Sequence, residues 1–84
     1  MLAAKHQTEE VLCKIDPLLS IHDFRMVDGE KQINLIFDMI VPYQYDRDRE
    51  KEVCKRLRKE LQEVDDRFRC VITVEKSYIA GKDD

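Results

Sequence analysis

The sequence lacks several features that phosphate loops and structural metal sites require. It has only two glycines, Gly29 and Gly81, so no glycine-rich loop is present to hold a phosphate group. Its three cysteines are far apart and include no Cys-x-x-Cys motif, which argues against a zinc ribbon and a thioredoxin-type redox site. Their odd number also argues against a disulfide framework and favours a reducing compartment. We interpret Cys13, Cys54 and Cys70 as small buried hydrophobic residues.

Long apolar runs and an excess of basic charge are also missing. No run approaches the roughly 20 residues that cross a bilayer, and we expect no signal peptide, because residues 1–11 lack a long apolar segment. The net charge is −3, which argues against nucleic acid as a partner, since phosphate binding needs a basic face. The 84 residues, 43% of them hydrophobic, predict one globular domain with a thin core. Small domains of this kind often gain stability by dimerising.

The stretch Ile33–Val41 is apolar on both of its alternating faces, and we take it as a central strand. A strand with water on one face should be polar throughout that face, but here Ile36 and Ile40 stand among the polar positions. We therefore expect a sheet covered on both sides, by the chain's own helices on one and partly by another molecule on the other. Pro42 cannot donate to a ladder and should mark the end of the strand.

Hydrophobic periodicity predicts four further elements around this strand. An Asp-Gly turn between two alternating runs indicates a β-hairpin, and strict alternation in its first strand places His22, Phe24 and Met26 on one face. The order α-β-β-α-β predicts an α+β two-layer sandwich, with both helices on one face of a three-stranded mixed sheet. The single domain spans residues 1–84, with its core in 8–78. The predicted elements are a helix at Leu2–Ile15, a strand at Ile21–Val27, a turn at Asp28–Lys31, a helix from Asp46 or Asp48 to Asp65-Asp66, and a strand at Phe68–Tyr78, followed by a polar tail from Ala80.

The charged run from Arg47 to Lys59 has two interpretations. It is a solvated helix face, or Arg47, Arg49 and Lys51 approach anionic lipid headgroups.

No group of residues indicates catalysis. Ser20, His22 and Asp23 are close in sequence, but neighbours on a strand diverge, so they do not form a nucleophile and its base. We therefore predict that the protein is not an enzyme.

The segment Asp16–Arg25, Asp-Pro-Leu-Leu-Ser-Ile-His-Asp-Phe-Arg, resembles the opening of the cytoplasmic C-terminal domain of the cation diffusion facilitator family. Ile21–Arg25 is its most specific part, and the resemblance continues through the later elements from Thr8 to Tyr78. It implies a ferredoxin-like, metallochaperone-like fold that forms a homodimer. It also implies a place at the cytoplasmic face of the cell membrane, as the soluble domain of a larger transporter whose membrane domain exports divalent cations, commonly zinc.

The resemblance also implies candidate metal ligands for zinc or another divalent cation. His22 matches the family's histidine at the first strand, whereas the position on the second strand falls at Phe37, which cannot bind metal, next to Asp38. On the third strand Thr73 is a poor ligand, but Glu75 can serve. The predicted ligands are thus His22, Glu75 and Asp38, fewer than the four of a structural zinc site. The alternative for His22 is a junction residue whose ring hydrogen-bonds a carboxylate or a carbonyl group, the commoner role of a lone histidine.

The predicted function is cytoplasmic dimerisation, with possible metal sensing, in an efflux transporter. We assign Ile36, Ile40 and Tyr43 to the dimer interface, although Tyr43 could simply pack over the helix start. The alternative is a free-standing regulatory α/β module that dimerises and binds a small molecule. A soluble metal chaperone is disfavoured because the Cys-x-x-Cys loop is missing.

Overall fold

The computed structural model describes residues 2–77, in which two helices and three strands follow the predicted order. Tyr78 and the predicted polar tail lie outside the described residues. The other element boundaries agree with the predictions to within about a residue, as expected for strongly periodic segments. The elements are α1 (Leu2–Ile15), β1 (Ser20–Asp28), β2 (Ile33–Pro42), α2 (Arg47–Val64) and β3 (Phe68–Ser77).

The sheet has the predicted mixed topology, with β2 in the centre of the order β1-β2-β3. β1 pairs with β2 antiparallel, and β3 pairs with it in parallel over ten consecutive residues, from Ile33↔Phe68 to Pro42↔Ser77. Because a parallel pair needs a long crossover, α2 connects the two strands and packs back on the sheet beside α1. The α-β-β-α-β ferredoxin-like sandwich is therefore confirmed.

The core lies between the helices and one face of the sheet. Leu35, Met39 and Val41 of β2 and Leu57 and Leu61 of α2 are 0% exposed. Burial of one such side chain stabilises the fold by about 1.5–3 kcal/mol, so these five residues are a large part of a thin core. From residue 4 onward, the buried residues of α1 are Ala4, Thr8, Val11 and Leu12.

Side-chain caps determine where the helices end. The carboxylate of Asp46 accepts a hydrogen bond from the Arg49 N–H at 2.8 Å, which confirms it as the N-cap of α2. At the end of α1 the Asp16 N–H still donates to the Leu12 carbonyl, and the Asp16 carboxylate then accepts from the Leu18 N–H at 2.9 Å. The chain thus turns sharply into β1 without leaving these backbone groups unpaired.

The hairpin between β1 and β2 has the predicted turn, and it requires a glycine because of close approach. The Gly29 N–H donates to the Gln32 carbonyl at 2.8 Å. A Cβ atom at Gly29 would lie 2.8 Å from that same carbonyl oxygen, closer than side-chain carbons approach. Any other residue would therefore force the turn to shift.

Candidate functional site

The side of the sheet that faces away from both helices, here called the open face, is the first candidate site. Along β2, the residues on the core side are buried, and those on the open face are half-buried. Ile36 and Ile40 are among the latter, as the alternation of β2 requires. Their assignment to a dimer interface stays a prediction, but their position fits it.

Exposed apolar side chains extend the open face. In the register, Ile36 lies between Arg25 and Val71, and Val71 is 51% exposed. At the end of the strand, Ile40 joins Tyr43 in a second cluster that lines a cleft of about 380 Å³. Contiguous exposed apolar surface of this kind marks interaction sites more often than isolated residues do. We call the second cluster the apolar patch: Leu18, Ile40, Pro42 and Tyr43.

Leu18 belongs to this patch, but it was not among the predicted interface residues. It is 68% exposed, whereas the adjacent Leu19 is 7% exposed and belongs to the core. Two consecutive leucines after Asp16-Pro17 could have indicated this, because two adjacent side chains in a short connection between elements seldom both face the core.

A polar row crosses the open face between the two apolar parts. The register aligns His22 with Asp38, and Asp38 with Thr73, and we call these three residues the polar row. Glu75 lies two residues further along β3, opposite Ile40. The structure thus places all three predicted ligands, His22, Asp38 and Glu75, on the same face of the sheet.

These residues do not fit a zinc site within one copy of the chain. No three histidine, cysteine, aspartate or glutamate side chains converge to hold a metal ion anywhere in residues 2–77. His22 and Asp38 are neighbours across the strands, but Glu75 belongs to the next row of the ladder. Zinc in structural sites takes four ligands, mostly cysteine and histidine. The ligand assignment therefore stays a prediction, and a single copy does not assemble it.

A β-bulge in β1 determines which way His22 faces. Two residues of β1, Asp23 and Phe24, lie opposite one residue of β2, Phe37. Asp23 takes up the extra length with φ 55°, in the left-handed region that aspartate tolerates better than most residues. The bulge puts Phe24 on the core side, where its ring stacks on Phe37 with centroids 5.9 Å apart.

The expectation that His22 shares a face with Phe24 and Met26 is therefore wrong. The extra residue reverses the alternation, so His22 is exposed whereas Phe24 and Met26 are half-buried against the core. Without the bulge, His22 and Asp38 could not share the open face.

A second group of polar side chains joins the ends of α1 and α2. The Tyr45 hydroxyl donates to the Asp16 carboxylate, and the Arg49 guanidinium lies 5.2 Å from the centre of the Tyr45 ring. The bond from Tyr45, followed by that from the Leu18 N–H, lowers the pKa of Asp16. Desolvation, followed by the bond to Asp16, raises the pKa of Tyr45. This group positions the chain around Leu18 and Tyr43, and hence the apolar patch.

The end of β3 is tied to the same region by Lys76. Its ammonium group lies 2.8 Å from the Glu50 carboxylate and also donates to the Tyr45 carbonyl. Both side chains of the ion pair are largely shielded from solvent, at 27% and 19% exposed. The pair therefore neutralises Glu50, which lines the space between α2 and β3.

The cysteines are only partly as predicted. Cys54 and Cys70 are half-buried free thiols against the core. Burial raises the pKa of the Cys54 thiol, and it raises the pKa of Cys70 to about 11. Both are therefore protonated and poorly reactive at neutral pH. Cys13 is exposed, so its assignment as a buried residue is wrong. It follows the buried Leu12 on α1, and adjacent residues of a helix face different directions.

Solved structures share this fold closely. The metal-bound C-terminal domain of the CzcD transporter from Thermotoga maritima superimposes with a TM-score of 0.75 at 18% identity, covering 92% of this chain and 91% of that one. The zinc form of CzrB, for which zinc transport is proposed, gives 0.68 at 17% identity, with 84% and 85% covered. The cytosolic domain of a cation diffusion facilitator family protein gives 0.64 at 15% identity, with 86% of each chain covered.

At these identities the likeness establishes the fold, and the expected structural resemblance to such domains is confirmed at that level. No protein-family model matches the sequence, and no curated protein is similar enough to match. Neither helix within residues 2–77 is long and apolar enough to cross a membrane.

Proposed function

We propose that the chain is the cytoplasmic dimerisation domain of a divalent-cation efflux transporter of the cation diffusion facilitator type. The observation that supports this most is the fold, which matches C-terminal or cytosolic domains of such transporters over more than four fifths of the chain. The Asp16–Arg25 segment points to the same family. In this role the domain holds two transporter subunits together below the membrane.

The open face is the proposed interface between the two copies. It presents Ile36 and Val71 on one side of the polar row and the apolar patch on the other. A two-fold dimer uses the same surface on both copies. The apolar parts of one copy therefore lie against the open face of the other. Pairing thereby shields the face of β2 that the helices leave bare.

Dimerisation is proposed to be constitutive, without a need for metal. A ligand changes an equilibrium only by its differential affinity for two states, and one copy does not assemble the three predicted ligands. Any response to zinc therefore requires ligands from two copies, with His22 as the residue to test.

Light scattering across a concentration range tests the proposal, with either zinc or a chelator present. We expect a dimer in both conditions, and a monomer at every concentration would contradict the proposal. Calorimetric titration with zinc then tests the ligand assignment. An unchanged zinc affinity in His22→Ala would remove that residue from any metal site.

Val71→Glu and Val64→Glu provide a matched pair of variants. Both valines are about half exposed, at 51% and 46%, but Val71 lies on the open face and Val64 at the end of α2. A charge buried in an interface without a partner is costly, so Val71→Glu should weaken the dimer at least about tenfold, or about 1.4 kcal/mol. Val64→Glu should leave it unchanged. Equal effects would exclude the open face as the interface.

A further inference from the structure

The charges of α2 are segregated along one side of the helix. Because a helix turns about 100° per residue, the four cations fall within an arc of about 80°. The only other helix residue in that arc is Gln62, so it contains no acid, although the chain has 18 acidic residues against 15 basic ones. We call these cations the cationic flank: Arg47, Lys51, Lys55 and Arg58.

The spacing of these cations brings like charges together along the helix. The pairs Arg47–Lys51 and Lys51–Lys55 each bring like charges together at a spacing of four residues, which costs about 0.2–0.5 kcal/mol per pair. Arg47 also begins the helix, where the positive end of the macrodipole disfavours a cation. Acids three residues before Lys51 and Lys55 offset part of this cost, but such pairs do not require the cations to share one side of the helix.

The cationic flank borders a groove beside β3. The groove has a volume of about 580 Å³, and its other lining residues are Glu50, Cys54 and Val74. The Glu50 carboxylate is held by Lys76 at 2.8 Å, so it does not neutralise the cationic flank. Arg49 lies on the opposite side of α2, over Tyr45 near the end of α1. The groove thus combines an apolar floor with a wall of one sign of charge.

The edge of β3 along this groove is unpaired within the described residues. β3 is the last strand of the sheet. The Arg67 carbonyl accepts from the Ile33 N–H at 2.8 Å, so it points toward β2, whereas the Phe68 carbonyl accepts from the Arg69 side chain at 2.9 Å. Successive peptide groups of a strand point to opposite edges. The backbone groups that share the outer edge with Phe68 are those of Cys70, Ile72 and Val74.

We propose that this groove binds an extended acidic segment of a partner protein, which adds to the edge of β3 as a fourth strand. Added strands obtain affinity from main-chain hydrogen bonds and specificity from alternate side chains. Four residues of a helix rise about 6 Å, and two residues of a strand about 6.6 Å. Acids at every second position of the segment would therefore match Arg47, Lys51 and Lys55 in turn.

The same geometry disfavours the other occupants. A second copy that paired through β3 would place its own cationic flank against this one, and like charges across an interface are repulsive. A lipid surface attracts basic residues but cannot supply a strand to the backbone groups along β3. The proposal is independent of the transporter role, because the proposed dimer uses the open face and leaves this edge free.

Fluorescence anisotropy with a labelled peptide of alternating glutamate and threonine tests the proposal directly. We expect saturable binding that weakens at least about tenfold in the double variant Lys51→Glu/Lys55→Glu. The matched control is Arg56→Glu/Lys59→Glu, which changes the net charge equally on the other side of α2 and should retain affinity within about twofold. Equal losses in both variants would overturn the proposal, because they would indicate binding by net charge alone.

Two further measurements test the strand addition and the alternative partners. Hydrogen exchange at Cys70, Ile72 and Val74 should slow when the peptide binds, and a peptide N-methylated at alternate residues should bind poorly. Equal binding of the methylated peptide would exclude strand addition. Binding to phosphatidylserine vesicles without binding to the peptide would identify a membrane surface instead. Conversion of a dimer to a monomer by Lys51→Glu/Lys55→Glu would identify a second copy.

Discussion

The contact between Tyr45 and Asp16 links residues 29 positions apart and allows a sharp test of how the helix ends are held together. Tyr45→Phe removes only the hydroxyl group that donates to the Asp16 carboxylate. The ring stays, so Arg49 keeps its contact 5.2 Å from the ring centre. The change therefore removes the bond to the Asp16 carboxylate and, with it, the interaction of the hydroxyl with the Arg49 side chain.

The expected cost follows from the type and exposure of this bond. Hydrogen bonds to charged groups contribute about 1.5–3 kcal/mol. Both residues are only half-buried, and the Asp16 carboxylate keeps its bond from the Leu18 N–H, so water can replace part of what is lost. We expect Tyr45→Phe to lower the free energy of unfolding by about 1 kcal/mol. For a domain of this size, that lowers Tm by about 4–8 °C.

The difference in the free energy of unfolding between the wild-type protein and Tyr45→Phe should depend on pH. The lowered pKa of Asp16 gives stability that is fully present above its unfolded-state pKa of about 3.9 and is lost as pH falls through the folded-state pKa. The raised pKa of Tyr45 gives stability that is present below about pH 10 and is lost as pH rises through the folded-state value. The difference should be constant between about pH 5 and pH 9, and should shrink on both sides.

Urea unfolding, followed by circular dichroism at several pH values, measures this difference. Tyr43→Phe is the matched control, since Tyr43 is 60% exposed and the same hydroxyl is removed two residues away. It should change the free energy of unfolding by less than about 0.5 kcal/mol. Two results would contradict a stabilising bond to Asp16. One is that Tyr45→Phe changes the free energy of unfolding as little as Tyr43→Phe does. The other is that its cost is the same at pH 3 as at pH 7, which lie about one unit below and three above the carboxyl pKa.

Substitutions at three other positions test the core, the turn and the bulge, all by urea unfolding. Leu57→Ala leaves a cavity at a fully buried position and should cost about 2–5 kcal/mol, so a cost below about 1 would contradict the packing. Gly29→Ala sets a Cβ atom 2.8 Å from the Gln32 carbonyl oxygen and should cost about 1–3 kcal/mol, whereas an unchanged stability would mean a different turn. Asp23 has φ 55°, which valine tolerates poorly and glycine tolerates well, so Asp23→Val should cost about 1–2 kcal/mol and Asp23→Gly little or nothing. A larger cost for Asp23→Gly than for Asp23→Val would exclude the bulge.

The sequence was most informative where one periodicity extends over a long segment. Val53, Leu57 and Leu61 recur at four-residue spacing and are all buried, and α2 has its N-cap at Asp46, one of the two predicted starts. The apolar residues of β2 likewise predicted a strand, and the structure places it in the centre of the sheet, with alternate side chains buried and half-buried. In such segments, local propensity and tertiary packing favour the same structure.

The prediction was weakest where one residue alters the pattern. The bulge at Asp23 adds one residue to β1, and alternation alone cannot reveal it, because aspartate is also an ordinary residue of strand ends. Its effect reaches the candidate site, since it decides that His22 shares the open face with Asp38. Likewise, nothing in the spacing of Glu75 indicated that it lies one row of the ladder away from them.

The polar row limits what can cover the open face. His22, Asp38 and Thr73 cross the sheet between Ile36 and the apolar patch, so a partner that buries both apolar parts must also cover the row. Burying the Asp38 carboxylate without a hydrogen-bonded partner would cost more than the flanking isoleucines contribute. A wholly apolar surface is therefore excluded. The complementary surface must place a donor or retained water opposite Asp38, and a second copy of the chain, which carries His22 and Thr73 in the same row, has the groups to do so.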